Sequence, residues 1–302
     1  MKKTLITRRV AILAAASLSF LAACGGSGDS TKAPDTTVAA ASPGNGKKIL
    51  SLSPTATEMV YAIGAGDQVV AVDSLSNYPA EAADKVTKIS AFEPNAEAIL
   101  GYDPDIVLIS NDMNKITEQL KTADPGITVW TGAMANTIDD VYAQITDLGV
   151  VTGHEDGATA LITKMKADLA AATEGVTAPE GASYYYELDN TYYSLTSNTF
   201  VGSLLKSTGI ANIADDVEAG NDWPQLNAES IIKANPSVVF LADTKCCQQD
   251  AAAVAARAGW DGIDAVKNGH VVELDDDIAS RWGPRIVELV VQMADAVKAL
   301  QK

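Results

Sequence analysis

Residues 95–110, NAEAILGYDPDIVLIS, decide the fold, because the chain contains a second version of them at residues 227–242, NAESIIKANPSVVFLA. The two segments align without a gap and share six of sixteen residues, where average composition predicts about one. In each, an Asn begins a short amphipathic helix, an Asp or Asn before Pro ends it, and a β-branched run follows that is typical of a buried strand. Such units also recur by chance in α/β proteins, but this degree of identity predicts two similar lobes.

Strand and helix patterns alternate on both sides of the repeat. This alternation predicts an α/β protein whose sheets are mostly parallel and covered by helices. We place the first lobe at residues 47–150 and the second at residues 179–302. Between them, residues 151–178 read as a helical connector, with a break at Gly153 and a long helix from residue 156 to 173. A rigid connector would limit how far the lobes can open.

The N-terminus reads as an export signal. In residues 1–23, Lys2, Lys3, Arg8 and Arg9 precede an apolar run that is too short to be a stable membrane span. The run ends in Leu-Ala-Ala-Cys, which resembles the bacterial lipobox and implies cleavage before Cys24 and attachment of lipid to its sulfur. An ordinary signal peptide with a stray Cys is the alternative. Residues 24–46, rich in Gly, Ser and Thr, are predicted to be a flexible tether.

Composition limits the classes of partner. The chain has 302 residues, 47% of them hydrophobic, which is enough for two domains with real cores. Its net charge is −17, and a body this acidic repels nucleic acid and anionic membrane surfaces. We therefore expect no nucleic-acid ligand, and contact with the membrane through the lipid anchor alone.

Aromatic and polar residues are concentrated after the predicted strands. In open α/β sheets, ligands bind beyond the carboxyl ends of the strands. Flat apolar walls with a few convergent polar groups suit a large planar ligand, although each aromatic residue taken alone could equally be structural. The candidate ligand-binding residues are Tyr78, Phe92, Trp130, Trp223, Asp277, Arg281 and Trp282.

Several motifs together resemble the helical-backbone receptors of bacterial ABC importers, which bind vitamin B12, ferric siderophores or haem. They are the lipobox, SLSPTATEMVYAIGAG at residues 51–66, SNYP at 76–79, the repeated unit, WPQLNAESI at 223–231 and SRWGPRIV at 280–287. The resemblance covers nearly all of the chain from Lys48 onwards. It implies two Rossmann-like lobes that are joined by a long α-helix and hold one bulky ligand between them.

The resemblance also implies roles for individual residues. Phe92 and Trp223 fall where aromatic walls contact the corrin in vitamin B12 receptors, Asp277 where an acid meets its amides, and Tyr78 in a ligand-facing loop. The expected function is capture of cobalamin or another corrinoid, or of a ferric siderophore, with haem as the alternative. We expect the mature protein to be monomeric, extracytoplasmic and lipid-anchored, and to deliver its ligand to a permease dimer and its ATPase. Arg281 could hold an anionic siderophore or a haem propionate.

Glu97 and Glu229 occupy the same position in the two copies of the repeat. A pseudo-two-fold axis would therefore place one glutamate on each lobe. The family resemblance implies that such a pair docks into arginine-lined pockets on the two halves of the permease. The alternative is that each Glu merely stabilises a helix N-terminus through the helix dipole, a contribution of a few tenths of a kcal/mol.

Cys246 and Cys247 are adjacent, and with Cys24 acylated no other thiol remains to pair with them. A vicinal disulfide would strain the peptide but could form in an oxidising exterior. A soft-metal or haem-iron ligand and two idle thiols are the alternatives.

Other chemistries find little support. Two His residues are too few for capture of a bare metal ion, so we expect no metal site and no cofactor. An extracytoplasmic enzyme on the same scaffold, using acids such as Asp277 or Glu187 for proton chemistry, is the competing hypothesis. Against it, the sequence shows no convergent nucleophile and base.

Overall fold

The structure, a computed structural model, describes residues 45–301. The predicted leader, Cys24 and all but the last two residues of the predicted tether lie outside this range. Within it, eight strands form two sheets of four. The strands are β1 (Ile49–Leu52), β2 (Val69–Val72), β3 (Ile106–Ile109), β4 (Thr128–Thr131), β5 (Ser183–Glu187), β6 (Ala211–Asn212), β7 (Val238–Leu241) and β8 (Val271–Glu273).

The two sheets have the same plan. Their strand orders are β2-β1-β3-β4 and β6-β5-β7-β8, and every pairing in both is parallel. The predicted fold class of two parallel α/β lobes is therefore confirmed. The boundaries at residues 150 and 178 stay predictions.

Twelve α-helices accompany these strands within residues 45–301. They are α1 (Pro54–Ala62), α2 (Ala80–Ala83), α3 (Ala96–Leu100), α4 (Ile116–Ala123), α5 (Ile138–Thr152), α6 (Glu155–Thr173), α7 (Phe200–Leu204), α8 (Ala228–Ala234), α9 (Ala251–Ala255), α10 (Asp264–Lys267), α11 (Asp276–Ala279) and α12 (Ile286–Ala299). In this part of the chain, none is both long and apolar enough to cross a bilayer.

The repeated segments form equivalent structures. Asn95 caps α3 by accepting a hydrogen bond from the Ala98 backbone N–H, and Asn227 caps α8 by accepting one from Ser230. The strands that follow, β3 and β7, hold the same place in their sheets. The two copies of the sequence repeat thus occupy equivalent positions in the two lobes.

The link between the sheets is helical, as predicted. Helix α5 ends at Gly153, whose φ of 74° suits a residue without a side chain. Helix α6 follows and packs against both α5 and the closing helix α12. One hydrophobic cluster extends from Ile106 of the first sheet through Met165 of α6 to Phe240 of the second. Because the sheets share this buried core, large separation of the lobes would expose apolar surface.

Candidate functional site

A cavity of about 360 Å³ lies at the carboxyl edge of the first sheet. Leu52 and Ile109, the last residues of β1 and β3, and Asp73, the first residue after β2, line one side of it. The C-terminal half of the chain contributes the other side through α11 and the residues that follow it. The cavity therefore lies where parallel strands end, as the position of the polar and aromatic residues predicts.

About half of the residues that line the cavity are apolar. Phe92 is 65% exposed, which is unusual for a large aromatic side chain, and Met113 beside it is also exposed. An exposed apolar patch that lines a concave surface is typical of a ligand site. The apolar lining residues are Leu52, Pro54, Leu75, Ala91, Phe92, Pro94, Ile109, Met113, Ile116 and Trp282.

Asp73 is the buried acid of the cavity. Its Oδ1 accepts a hydrogen bond from the Ser76 backbone N–H at 2.9 Å, while its Oδ2 has no partner. Burial raises the pKa of this carboxyl, and hydrogen bonds from Ser76 offset the rise only in part. The polar lining residues are Thr55, Asp73, Ser74, Asn77, Ser110, Asn111, Asp277, Ser280 and Arg281.

Arg281 is the one cation among the residues that line the cavity, and its guanidinium is already engaged. Nη1 donates to Glu58 Oε1 at 2.9 Å and to Asn77 Oδ1 at 3.0 Å. Nη2 donates to the Leu75 carbonyl at 3.1 Å and to Asp277 Oδ1 at 2.8 Å. Four of the five N–H donors of Arg281 are therefore already used.

Asp277 is likewise held by protein groups. Lys245 Nζ and Asn77 Nδ2 donate to its Oδ2 at 2.9 and 3.1 Å. Burial alone would raise the pKa of Asp277, but the hydrogen bonds from Lys245 and Asn77 and the charge of Arg281 outweigh it and lower the pKa. Asp277 is therefore a carboxylate that fixes one wall of the cavity.

Glu58 lies beneath this wall and was not foreseen as a site residue. It is 3% exposed on α1 and binds two arginines from the other end of the chain. Arg281 reaches its Oε1, and Arg285 Nε donates to its Oε2 at 2.9 Å. The Arg285 guanidinium also lies 4.0 Å from the centre of the Tyr78 ring. The available signal was that Glu58 is the only charged residue of α1.

Four of the seven candidate ligand-binding residues meet in the cavity, namely Phe92, Asp277, Arg281 and Trp282. Tyr78 and Trp223 are exposed but are not among the lining residues. Trp130 does not belong to a cavity wall, because its side chain is only 9% exposed and packs in the main core. Gly132 makes this possible, since a Cβ there would lie 2.4 Å from the indole of Trp130.

Glu97 and Glu229 are each exposed at the second position of their helix. Within residues 45–301, neither carboxylate has a hydrogen-bond or ion-pair partner. Both helices precede the third strand of their sheet, and a helix in such a unit runs against its strands. Its N-terminus therefore lies at the carboxyl edge, the same edge that carries the cavity in the first lobe. Their contact with a permease stays a prediction.

Cys246 and Cys247 follow β7 on a surface loop. The structure has both as free cysteines, with their Sγ atoms 2.6 Å apart. The vicinal disulfide stays a prediction. Within the described residues, no cluster of three or more His, Cys, Asp or Glu side chains is placed to hold a metal ion.

Asp243 is a second buried acid. It directly follows the second copy of the repeat, as Asn111 follows the first. It is fully buried, and neither carboxylate oxygen has a partner. Burial and the charges of Glu187 and Asp276 raise its pKa, Arg257 offsets the rise in part, and the resulting pKa is about 7. The Glu187 carboxylate is itself paired with Arg257, whose Nη1 donates to Oε2 at 2.7 Å.

This shift predicts a pH-dependent stability. A free Asp titrates near pH 4, so between about pH 4 and pH 7 the folded state holds a proton that the unfolded state has released. Asp243 therefore favours folding at low pH, and this contribution is lost as the pH rises through about 7. We expect Asp243→Asn to raise the free energy of unfolding by about 1–3 kcal/mol more at pH 8 than at pH 4.

Urea unfolding of both proteins at the two pH values tests this. Asp147→Asn, at an exposed position of α5, is the matched control and should have no effect at either pH. If the Asp243→Asn protein keeps the wild-type dependence of stability on pH, then Asp243 is not the titrating group.

Comparison with known proteins gives a consistent picture. Residues 49–278 match the family model for periplasmic binding proteins. An uncharacterised ABC transporter substrate-binding lipoprotein of Bacillus subtilis is 35% identical, over 83% of this chain and 80% of its own length. A cobalamin-binding protein of Halobacterium salinarum is 32% identical, over 83% of this chain and 69% of its own. The crystal structure of a possible iron-binding periplasmic solute-binding protein from Staphylococcus epidermidis superposes with a TM-score of 0.70 at 27% identity, covering 83% of this chain and 98% of that one.

Proposed function

Because this chain belongs to the periplasmic binding protein family, we propose that it captures a bulky metal chelate in the cavity and delivers it to the permease dimer of an ABC importer. The chelate is a corrinoid such as cobalamin, or a ferric siderophore. The observation that carries this proposal is the cavity itself, which is lined by the exposed Phe92 and the indole of Trp282 together with a set of polar side chains. Flat apolar walls with a few fixed polar groups suit a rigid planar chelate.

The charges around the cavity favour a corrinoid over haem. Arg281 already donates to four protein acceptors, which leaves only one of its five N–H groups for a propionate. Asp277 instead adds a carboxylate to the wall, and the buried Oδ2 of Asp73 lacks a donor. A neutral, amide-bearing chelate brings N–H donors and no carboxylate to such a site. The name of the Halobacterium relative, a cobalamin-binding protein, agrees with this preference.

Phe92→Ala is expected to weaken binding by about 10- to 100-fold, because covering a Phe side chain contributes about 1.5–3 kcal/mol. Tryptophan fluorescence reports binding, since Trp282 lines the cavity. Purified protein would be titrated with cyanocobalamin, a ferric hydroxamate siderophore and haem.

The matched control is Tyr102→Ala, which removes an aromatic side chain of 41% exposure outside the cavity and should leave affinity unchanged. Tight binding of haem alone would contradict the corrinoid preference. Equal losses of affinity in the two variants would contradict the assignment of this cavity as the binding site.

Delivery to the permease would use Glu97 and Glu229. Each is exposed and without a side-chain partner in the described part of the chain, and each sits at the same place in its own lobe. A helix dipole does not explain this arrangement well, because α3 and α8 have only five and seven residues. Two free carboxylates at matching positions suit a partner with two equivalent basic pockets.

We further propose an extracytoplasmic location with a lipid anchor at Cys24. The support is the lipobox-like LAAC at residues 21–24 and the name of the Bacillus relative, which is called a lipoprotein. An acyl anchor with a Gly- and Ser-rich tether would keep the binding protein near its permease at high effective concentration.

The enzyme hypothesis has less support than the transport hypothesis. Glu187 is fully buried in its ion pair with Arg257, and Asp277 is held by Lys245, Asn77 and Arg281. Neither acid is free to move protons on a ligand. A binding protein returns its ligand unchanged, so recovery of intact cyanocobalamin after prolonged incubation separates the two hypotheses.

A further inference from the structure

Asp276 anchors the loop that carries Cys246 and Cys247 to α11. Asp276, the first residue of α11, accepts hydrogen bonds at its Oδ1 from the Thr244 hydroxyl at 2.8 Å and from the Lys245 backbone N–H at 3.0 Å. Its Oδ2 accepts from the Cys246 backbone N–H at 2.8 Å. One carboxylate therefore holds three consecutive residues of the loop.

The backbone turns directly after the two cysteines. Gln248 has a φ of 54°, in the left-handed region that residues with side chains rarely adopt. The Cys247 N–H donates back to the Asp243 carbonyl at 3.2 Å. This tight turn brings the two side chains to the same side, and their Sγ atoms lie 2.6 Å apart. Only a small movement of the two Sγ atoms would bring them to the distance of a disulfide bond.

The loop is also tied to the candidate ligand site. Lys245, the residue before the cysteines, places its Nζ 2.9 Å from Asp277 Oδ2 and 2.7 Å from Asp275 Oδ1. Asp277 lines the cavity and holds Arg281. The position of the cysteine loop thus determines whether Lys245 can reach the cavity wall.

We propose that Cys246 and Cys247 are an oxidation site, at which a vicinal disulfide forms and holds Lys245 against Asp277. The oxidant is a low-molecular-weight disulfide. One cysteine thiolate attacks it and releases one thiol, and the second cysteine then attacks the resulting mixed disulfide. The second thiol leaves, and the Sγ–Sγ bond forms. The two cysteines lose two electrons and two protons in total, and the two released thiols carry both.

Burial, the neighbouring Cys247 and Asp276 raise the pKa of the Cys246 thiol to about 12. The same raised pKa disfavours the thiolate that a soft metal ion requires, which counts against the metal-ligand alternative.

The test uses the full chain with Cys24→Ser, in which Cys246 and Cys247 are the only thiols. The protein is incubated with oxidised or reduced glutathione, its free thiols are alkylated, and its mass is measured by mass spectrometry. Limited trypsin digestion then compares cleavage after Lys245 with cleavage after Lys121, an exposed lysine on α4 that serves as the internal reference. Cys246→Ser in the same background shows the behaviour of a loop that cannot form the bond.

The expected result is an oxidised protein with no alkylated thiol and no glutathione adduct. Its cleavage after Lys245 should be about tenfold slower than in the reduced protein. This factor is at the low end of the stabilisation that a disulfide provides when it closes a loop of the chain. The Cys246→Ser protein should be cleaved at the reduced rate with either glutathione. Two alkylated thiols after oxidation, a stable glutathione adduct, or equal cleavage rates in the two redox states would each overturn the proposal. None of these readouts depends on which chelate the protein binds.

Discussion

Glu97→Arg combined with Glu229→Arg is expected to reduce ligand uptake by about 100-fold or more, since close charge pairs across an interface couple by about 1.5–7 kcal/mol each. Reversal replaces two attractions by two repulsions from the same basic pockets. Because neither glutamate touches the cavity in the described structure, the affinity of the purified protein for cyanocobalamin should stay within about twofold.

Uptake would be measured in cells that produce the variant as their only receptor, alongside ligand affinity of the purified protein. The matched control is Glu118→Arg with Glu174→Arg, which changes the net charge equally at two other exposed positions. Each single reversal should give a smaller loss than the pair. Uptake at the wild-type rate in the double variant would refute docking through these residues. A parallel loss in the control would instead indicate a general effect of charge.

Glu58→Gln is expected to lower the free energy of unfolding by about 3–5 kcal/mol, because it leaves the Arg285 guanidinium without its paired carboxylate and Arg281 with that of Asp277 alone. The side chains of Glu58, Arg281 and Arg285 are only 2%, 9% and 13% exposed. For a protein of this size the loss corresponds to a fall in the unfolding midpoint of roughly 6–20 °C. Gln keeps the size of the side chain, so the change is mainly one of charge.

Thermal unfolding followed by circular dichroism measures this change. The control is Asp168→Asn, which removes an ion pair to Lys164 whose partners are 40% and 38% exposed. Exposed pairs contribute less than about 1 kcal/mol, so this control should differ little from wild type. If Glu58→Gln shifts the midpoint no more than Asp168→Asn does, then the buried cluster does not stabilise the fold.

The architecture was accessible from the sequence because it depends on local patterns. The repeated helix–Pro–strand unit predicted two similar lobes, and the Asn residues that begin each copy are the helix caps in the structure. The break at Gly153 and the long helix after it were also visible, because glycine and apolar spacing act within a few residues.

The site was only partly accessible, because its contacts join distant parts of the chain. Arg281 and Glu58 are 223 residues apart, and no local pattern shows that one will neutralise the other. Trp130 illustrates the same limit. Its place at the end of a strand suggested that it lines the ligand site. The indole instead packs in the core, in space that a side chain at position 132 would fill. Strand ends show where a cleft lies, and tertiary packing decides which side chains enter it.

The pairing of Glu58 with Arg281 and Arg285 has a consequence for biogenesis. A chain that is made from its N-terminus carries Glu58 through more than two hundred residues of elongation before its arginines exist. Until then the first half has a carboxylate that it cannot bury without cost. A chain that ends before residue 281 would therefore keep that acid uncompensated, and we expect it to be less stable than the full chain.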